Sequence, residues 1–80
     1  MVAVPDVVRK RRQAVGRRLS ELRRERALSQ EALAHAAGLD RSFYVEVETA
    51  KHSISLDRLF DIAEALDLHL SQMFANVEQF

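Results

Sequence analysis

Arginine and lysine side chains, which often bind phosphate, are concentrated in the first 30 residues of the chain. That segment contains nine of them against three acidic residues, whereas residues 31–80 contain three basic and nine acidic residues. The charges of the two segments therefore cancel, and the whole chain has a net charge of +0. Such an asymmetry indicates a polyanionic partner for one face of the protein. From charge alone, a solvated basic helix that pairs with the acidic part of the chain is an equal alternative.

Side chains that could do covalent or metal chemistry lack the spacing that such chemistry requires. His35, His52 and His69 fall in different predicted elements, and none has a ligand partner three or four residues further on. Cysteine is absent, as are the phosphate-loop and nucleophile-elbow motifs. We therefore expect no enzyme activity, no metal, no cofactor and no evident small-molecule effector. Because no apolar run is long enough to span a membrane, we expect a cytoplasmic protein without a membrane partner.

The elements that position these side chains are predicted to be helices. Eighty residues with two glycines and one proline indicate one small domain over residues 1–80. Periodicity and capping residues predict helices over about 5–26, 30–37 and 41–49, within 54–68, and over 70–76. Ser29, Asp40 and Ser55 are the expected N-caps. The residues expected to face inward include Leu33, Ala36 and Ala37 in the second helix and Leu56, Leu59, Phe60, Ile62, Ala63 and Leu66 in the fourth.

The segment Phe43–Glu48 has two interpretations. Its apolar and acidic residues alternate, as they do in a half-buried strand. A lone strand has no partner in an otherwise helical chain, however, whereas Asp40 can cap a helix at this point. We therefore predict a helix from Arg41 to about Thr49 with Tyr44 and Val47 turned inward.

Two short helices joined by a turn that contains glycine form a helix-turn-helix, whose second helix can enter the major groove of DNA. The segments "LSQEALAHAAGLDRS" and "LDRLFDIAEALDL", at their spacing here, resemble the Cro and lambda-repressor type (XRE) helix-turn-helix family. The resemblance extends over residues of about 15–74. It implies an all-α, five-helix DNA-binding domain with an N-terminal extension of the first helix and a short C-terminal tail. Within that family, "SISL" is similar to the small stand-alone controllers of restriction–modification operons.

The resemblance also implies roles for individual residues. DNA would be contacted by the first residues of the second and third helices and by the loop after the third. An arginine at the start of the third helix can donate hydrogen bonds to the O6 and N7 atoms of one guanine. This predicted DNA-binding set is Ser29, Gln30, Arg41, Ser42, Val45, Glu46, Thr49, Lys51, His52 and Ser53. Arg23 and Glu48 match a structural ion pair that ties the first helix to the third.

Several of these residues have a second interpretation. Arg41 can be a surface arginine that interacts with Asp40 or water, and Val45 can be an ordinary exposed apolar residue. Phosphates repel the carboxylate of Glu46, which can therefore serve to exclude wrong sequences or to pair with Arg41 when DNA is absent. The Arg9–Arg12 run is either a solvated face or a contact to flanking phosphates.

The chain departs from the family pattern after Glu48, where Arg-Gly is common and Thr49-Ala50 stands here. Without that glycine, the third helix is expected to end differently or to run on. Asp67 replaces a frequent turn glycine, and aspartate tolerates a left-handed conformation better than most residues.

The resemblance implies a sequence-specific transcription regulator that binds double-stranded DNA. A single recognition helix makes few base contacts, so we expect a homodimer on a near-palindromic operator. The candidates for the dimer surface are Leu70, Met73, Phe74, Val77 and Phe80, although the first three can instead close the core of the monomer. The alternative function is that of an antitoxin, which uses the same domain to bind DNA and a toxin.

Overall fold

The computed structural model describes residues 4–75 and 77, and helices make up most of this range. They are α1 (Asp6–Glu25), α2 (Gln30–Ala36), α3 (Arg41–Glu48), α4 (Leu56–Ala65) and α5 (Leu70–Met73). No strand occurs in this part of the chain, so the predicted all-α fold with five helices is confirmed.

Three of the helices begin at the residues that the sequence indicates. The Ser29 hydroxyl accepts a hydrogen bond from the Ala32 amide at 3.0 Å at the start of α2. Asp40 caps α3 in the same way, and Ser55 caps α4 at 3.2 Å from the Arg58 amide. Each such cap contributes about 1 kcal/mol because it satisfies a backbone donor that the helix cannot satisfy itself. The caps therefore fix where the helix-turn-helix elements begin.

The first four helices end in the same backbone motif. After each, one residue adopts a left-handed conformation, and two amide groups bond back to the last turn, as in a Schellman motif. Gly38 is the left-handed residue after α2, whereas the other three helices use residues with a side chain at a positive φ: Ala27, Ala50 and Asp67. α3 therefore ends at Glu48 although no glycine follows it, because Ala50 adopts the conformation that the family's glycine would provide.

A left-handed conformation is unfavourable for alanine, and glycine relieves this strain. Because the strain costs about 1–2 kcal/mol and glycine also makes the unfolded chain more flexible, we expect Ala50→Gly to stabilise the fold by about 0.5–1 kcal/mol. Urea unfolding followed by circular dichroism measures the change. Ala32→Gly, in the right-handed backbone of α2, is the matched control and should destabilise by about 1 kcal/mol. Equal destabilisation by the two glycines would contradict this explanation.

The core is built from the inward faces of all five helices. Its largest completely buried side chains include Tyr44 from α3, whose neighbour on the same face, Val47, is buried too, as predicted. The other core residues are Leu19, Leu22, Leu33, Ala34, Ala37, Ile62, Ala63, Leu66 and Met73. At about 25 cal/mol per Å² of apolar surface removed from water, this shared core is the main source of stability that holds α3 in place.

Three expected core positions are wrong. Leu56 and Phe60 of α4 are 59% and 53% exposed. Because α4 packs through Ile62 and Ala63, Phe60 lies roughly 110° around the helix from the middle of the buried face. In α2, Ala36 is exposed and Ala34 is buried instead.

Helix α1 contacts the end of α3 at the level of the backbone. A Cβ atom added at Gly16 would lie 2.3 Å from the carbonyl oxygen of Glu48 and 3.0 Å from that of Val47. No side chain fits there, so the glycine permits an approach that any other residue would prevent. The position of α3 therefore depends on α1.

Helix α1 also holds α5. The Nε atom of Arg18 donates to the carbonyl oxygen of Met73 at 2.5 Å, and its guanidinium also reaches the carbonyl of Gln72. These contacts satisfy carbonyl groups at the end of α5 that lack a helical partner. α5 ends at Met73, whereas the sequence predicts that it continues to residue 76. Phe74 and Ala75 form a turn, and residue 76 lies outside the described residues.

Candidate nucleic-acid interface

Helices α2 and α3 and the turn between them form a helix-turn-helix. The left-handed Gly38 ends α2, and Asp40 caps α3 two residues later. Tyr44 and Val47 anchor one face of α3 in the core, which leaves the opposite face of the helix outside. An α-helix of this size fits the major groove of DNA, and its N-terminal side chains then meet the edges of the bases.

One carboxylate fixes the relative positions of the first three helices. Glu48 accepts two hydrogen bonds from Arg23, at 2.8 and 3.0 Å, and a third from the side chain of Gln30 at 3.2 Å. Arg23 also donates to the carbonyl oxygen of Leu28 at 2.8 Å. The side chains of Arg23 and Glu48 are only 11% and 6% exposed, so water screens this pair weakly.

The surroundings shift the pKa values of these groups. Burial opposes ionisation of Glu48, but the hydrogen bonds and the charge of Arg23 outweigh it and lower the pKa of the carboxyl below its usual value. The hydrogen bond to Glu48 raises the pKa of Arg23 in turn, although burial opposes this. Burial raises the pKa of Tyr44, whose hydroxyl lies beside the pair and has no hydrogen-bond partner among the described residues. The pair is therefore charged at neutral pH.

The outer face of α3 carries the residues expected to read bases. Arg41 and Ser42 are exposed in its first turn, and Val45 and Glu46 are half-buried one turn later. One interpretation of the sequence pairs Glu46 with Arg41, but the structure does not show that pair among the described residues. The carboxylate of Glu46 lies 2.5 Å from the Nε2 atom of His52. The His52 ring stacks on the ring of Phe43, with 6.4 Å between the ring centroids.

The residues at the start of α2 have structural contacts of their own. The Ser29 hydroxyl caps the helix, and the side-chain amide of Gln30 donates a hydrogen bond to the carboxylate of Glu48. Ser29 and Arg41 line the same shallow groove between α2 and α3. These two predicted contacts, one from each helix of the motif, therefore lie along one surface.

The loop after α3 differs from the ends of the other three helices at the residue that follows the left-handed one. Leu28, Leu39 and Leu68 each follow a left-handed residue and pack against the core, whereas Lys51 stands at the equivalent position and is exposed. Beside it, the hydroxyl of Thr49 donates its single proton to the carbonyl oxygen of Val45 at 2.8 Å. Lys51 is thus an exposed cation in this loop, whereas the Thr49 hydroxyl is already used within the end of the helix.

Sequence reasoning did not place the basic run of α1 relative to this loop. Arg11 and Arg12 line the same cleft as His52 and Ser53. The physical link is Gly16, because it packs on the end of α3 and Arg12 lies one helical turn earlier, about 6 Å along the axis. A glycine on the inner face of α1 is the signal from which this proximity could be inferred.

The basic first segment is mostly not neutralised by the acidic remainder. Of the ion pairs among the residues described, only Arg23–Glu48 joins the two segments. Arg9 and Arg18 pair with acidic residues of α1 itself. The proposed pairing of the basic helix with the acidic half therefore does not explain the charge asymmetry.

The candidate dimer residues separate into distinct environments. Met73 is completely buried within the chain, while Leu70 and Phe74 are half-buried and pack against the core. Val77 is half-buried, and Phe80 lies outside the described residues. Within the described residues, no cluster of three potential metal ligands occurs, and no helix is long and apolar enough to cross a membrane.

Comparison with known proteins agrees with this geometry. A family model described as Helix-turn-helix (HTH_3) matches residues 19–73. The chain is 38% identical over 65 residues to the control protein C.MunI from Mycoplasma sp, which covers 80% of this chain and 88% of that protein. It is 39% identical over 57 residues to the immunity repressor protein of Bacillus phage phi105, which covers 71% of this chain but 40% of the repressor.

A solved structure shows the same arrangement. The restriction-modification controller protein C.AhdI from Aeromonas hydrophila superposes with a TM-score of 0.76 at 41% identity, covering 79% of this chain and 96% of that chain. The matched residues include the complete α2–α3 motif. The family consists of DNA-binding regulators and not of enzymes. This chain belongs to the XRE-type helix-turn-helix family of DNA-binding transcription regulators.

Proposed function

We propose that this protein is a cytoplasmic regulator that binds a near-palindromic operator as a homodimer, with α3 of each subunit in the major groove. The observation that carries the proposal is the division of α3 into two faces. Tyr44 and Val47 fix the inner face, and Arg41 and Ser42 remain exposed at its N-terminal end. The names of the relatives, control proteins and an immunity repressor, support a role as a small controller of transcription.

The proposed DNA contacts divide into two kinds. Arg41 presents a planar guanidinium that can donate two hydrogen bonds to one guanine, so it reads sequence. Lys51 presents a single charge on an exposed loop, so it binds phosphate irrespective of sequence. Selection of bound sequences from random DNA is the first experiment, since a palindrome with half-sites about one helical turn apart would support both the site and the symmetry.

Substitution of Arg41 and Lys51 tests that division. Arg41→Ala should relax preference at one base pair per half-site and cost about 1–3 kcal/mol of specific binding. Lys51→Ala should weaken binding to all sequences alike and reduce the salt dependence of affinity by about one released ion. Fluorescence anisotropy at several salt concentrations measures both effects. Arg58→Ala is the control, because Arg58 lies on α4 and pairs with Asp61. Uniform losses for both variants would contradict the assigned roles.

A second copy of the chain is the proposed occupant of the exposed apolar surface on α4 and α5. Leu56 and Phe60 are one turn apart on α4, and they are among the most exposed large apolar side chains in the described residues. α4 contacts α5, which carries the half-buried Leu70 and is followed by Phe74. Apolar side chains that remain exposed in the monomer are typical of protein–protein contacts. We include Val77 and Phe80 in this surface as a proposal, and exclude the buried Met73.

Phe60→Glu is expected to disrupt the dimer. A carboxylate forced into an apolar contact costs several kcal/mol, which raises the dimer dissociation constant by about a hundredfold or more. Sedimentation at micromolar concentration should show a monomer, and affinity for the palindrome should fall with it. Val7→Glu is the matched control, because Val7 is an exposed valine on α1, 44% accessible and distant in sequence from α4. A dimeric Phe60→Glu, or an equal effect of Val7→Glu, would contradict the proposed surface.

A further inference from the structure

A cleft of about 230 Å³ lies between α1, the end of α3 and the start of α4. Its walls are apolar. Val8 and Val15 come from α1, and Val47 comes from α3. Leu59 comes from α4, and Ile54 directly precedes the N-cap of α4. The volume is below the 300–1,000 Å³ that is typical of sites for drug-sized ligands. The cleft therefore suits a short apolar group.

The rim of the same cleft is cationic. Arg11 and Arg12 line it from α1, and His52 and Ser53 line it from the loop after α3. Of the described residues that line it, none is an aspartate or a glutamate. The Nε atom of Arg12 is buried and has no hydrogen-bond partner within the described residues. Among the described residues, neither Arg11 nor Arg12 is paired with a carboxylate, so the rim favours an anion.

We propose that this cleft binds a small organic anion with one carboxylate and a short apolar chain. The apolar chain fills the space between Val8, Val15 and Leu59, and the carboxylate accepts hydrogen bonds from the guanidinium of Arg12 at the rim. A carboxylate matches the planar donors of an arginine. A phosphate of the DNA backbone supplies the charge but not the apolar chain, and it would leave the walls of the cleft uncovered.

Occupancy of this cleft has a direct route to the recognition helix. His52 lines the rim and also contacts the carboxylate of Glu46 on the outer face of α3. A bound carboxylate competes with Glu46 for the same imidazole, and release of Glu46 changes the charge that α3 presents. This effect on DNA rests on the proposed function, whereas binding of the anion does not.

Methyl and amide NMR titrations with hexanoate test the proposal without DNA. Hexanoate should shift the methyl signals of Val8, Val15 and Leu59 in a saturable way. 1-Hexanol has the same chain length as hexanoate but no carboxylate. Because loss of the ligand's charge lowers affinity by about tenfold or more, 1-hexanol should bind at least that much more weakly than hexanoate. Inorganic phosphate and acetate should also bind more weakly, because they lack the apolar chain. Equal binding of hexanoate and hexanol, tighter binding of phosphate, or shifts confined to other residues would each overturn the proposal.

Substitution at Arg12 tests the assigned acceptor site. Arg12→Gln should weaken hexanoate binding by about tenfold or more while the NMR spectrum remains that of a folded protein. Arg9→Gln is the matched control and should bind like the wild type, because Arg9 pairs with Asp6 and does not line the cleft. If Arg12→Gln does not fold, Arg11→Gln decides the question, since it changes an exposed side chain on the same rim. Unchanged affinity in the folded rim variant would overturn the assignment.

Discussion

Glu48→Ala is expected to lose about 3–5 kcal/mol of folding free energy, a large part of the total for a domain of this size. The substitution leaves the guanidinium of Arg23 buried without a counter-charge, and it also removes the hydrogen bond from Gln30. Such a loss exceeds the value of the pair itself, because most of it is the cost of an uncompensated buried charge. Urea unfolding at neutral pH should show a much lower midpoint.

The pH dependence of the same variant provides a second measurement. Because the folded-state pKa of Glu48 is lowered, its ionisation stabilises the fold above the usual glutamate pKa, and this contribution is lost as the pH falls through the folded-state value. The difference between the wild type and Glu48→Ala should therefore be largest near neutral pH and should shrink on acidification.

Two controls separate burial from charge. Asp61→Ala removes an exposed carboxylate that pairs with Arg58 at 3.2 Å, and it should change stability by about 0.5 kcal/mol or less. Replacing both partners, as in Arg23→Met with Glu48→Leu, should recover part of the loss because no unpaired charge remains. If Glu48→Ala cost no more than Asp61→Ala, the buried pair would not have the structural role that we assign to it.

Gly16→Ala is the second substitution with a large expected effect, and its sign distinguishes two explanations. Helix propensity alone predicts that alanine stabilises the middle of α1 by about 1 kcal/mol. The added methyl group would instead lie 2.3 Å from the carbonyl oxygen of Glu48, and backbone atoms cannot rotate away as a side chain can. We therefore expect net destabilisation, toward the upper end of the roughly 1–3 kcal/mol that overpacking costs.

The measurements are thermal unfolding and DNA affinity, because a displaced α3 should also weaken binding. Gln13→Ala is the matched control, an exposed position on the same helix that should change stability by less than about 0.5 kcal/mol. Gly16→Val should be worse than Gly16→Ala, since the larger side chain needs a larger displacement. A neutral or stabilising Gly16→Ala would mean that α1 can shift away from α3 without cost.

The sequence predicts the features of this fold that depend on local chemistry. Ser29, Asp40 and Ser55 cap the helices as expected because capping needs one side chain and the next three residues. The inward position of Tyr44 and Val47 also follows from helical periodicity, once a strand is excluded for lack of a partner.

Features that depend on tertiary packing could not be predicted in the same way. The apolar pattern of α4 is wider than the face that the rest of the chain covers, so the pattern predicts Phe60 in the core, whereas Phe60 is exposed. A rule based on glycine could not show that Ala50 would take the left-handed conformation. The proximity of Arg12 to His52 depends on how closely α1 approaches α3, which the sequence alone does not specify.

The buried ion pair that holds the motif together is separate from the residues at the start of α3 that we propose read bases. Glu48 joins Arg23 and Gln30 at the inner end of α3, whereas Arg41 and Ser42 lie at its other end and carry no part of that network. Mutational drift at the outer positions can therefore proceed without loss of the scaffold. Closely similar proteins can in this way acquire new target sites one residue at a time, and the same separation makes the domain suitable for engineered specificity.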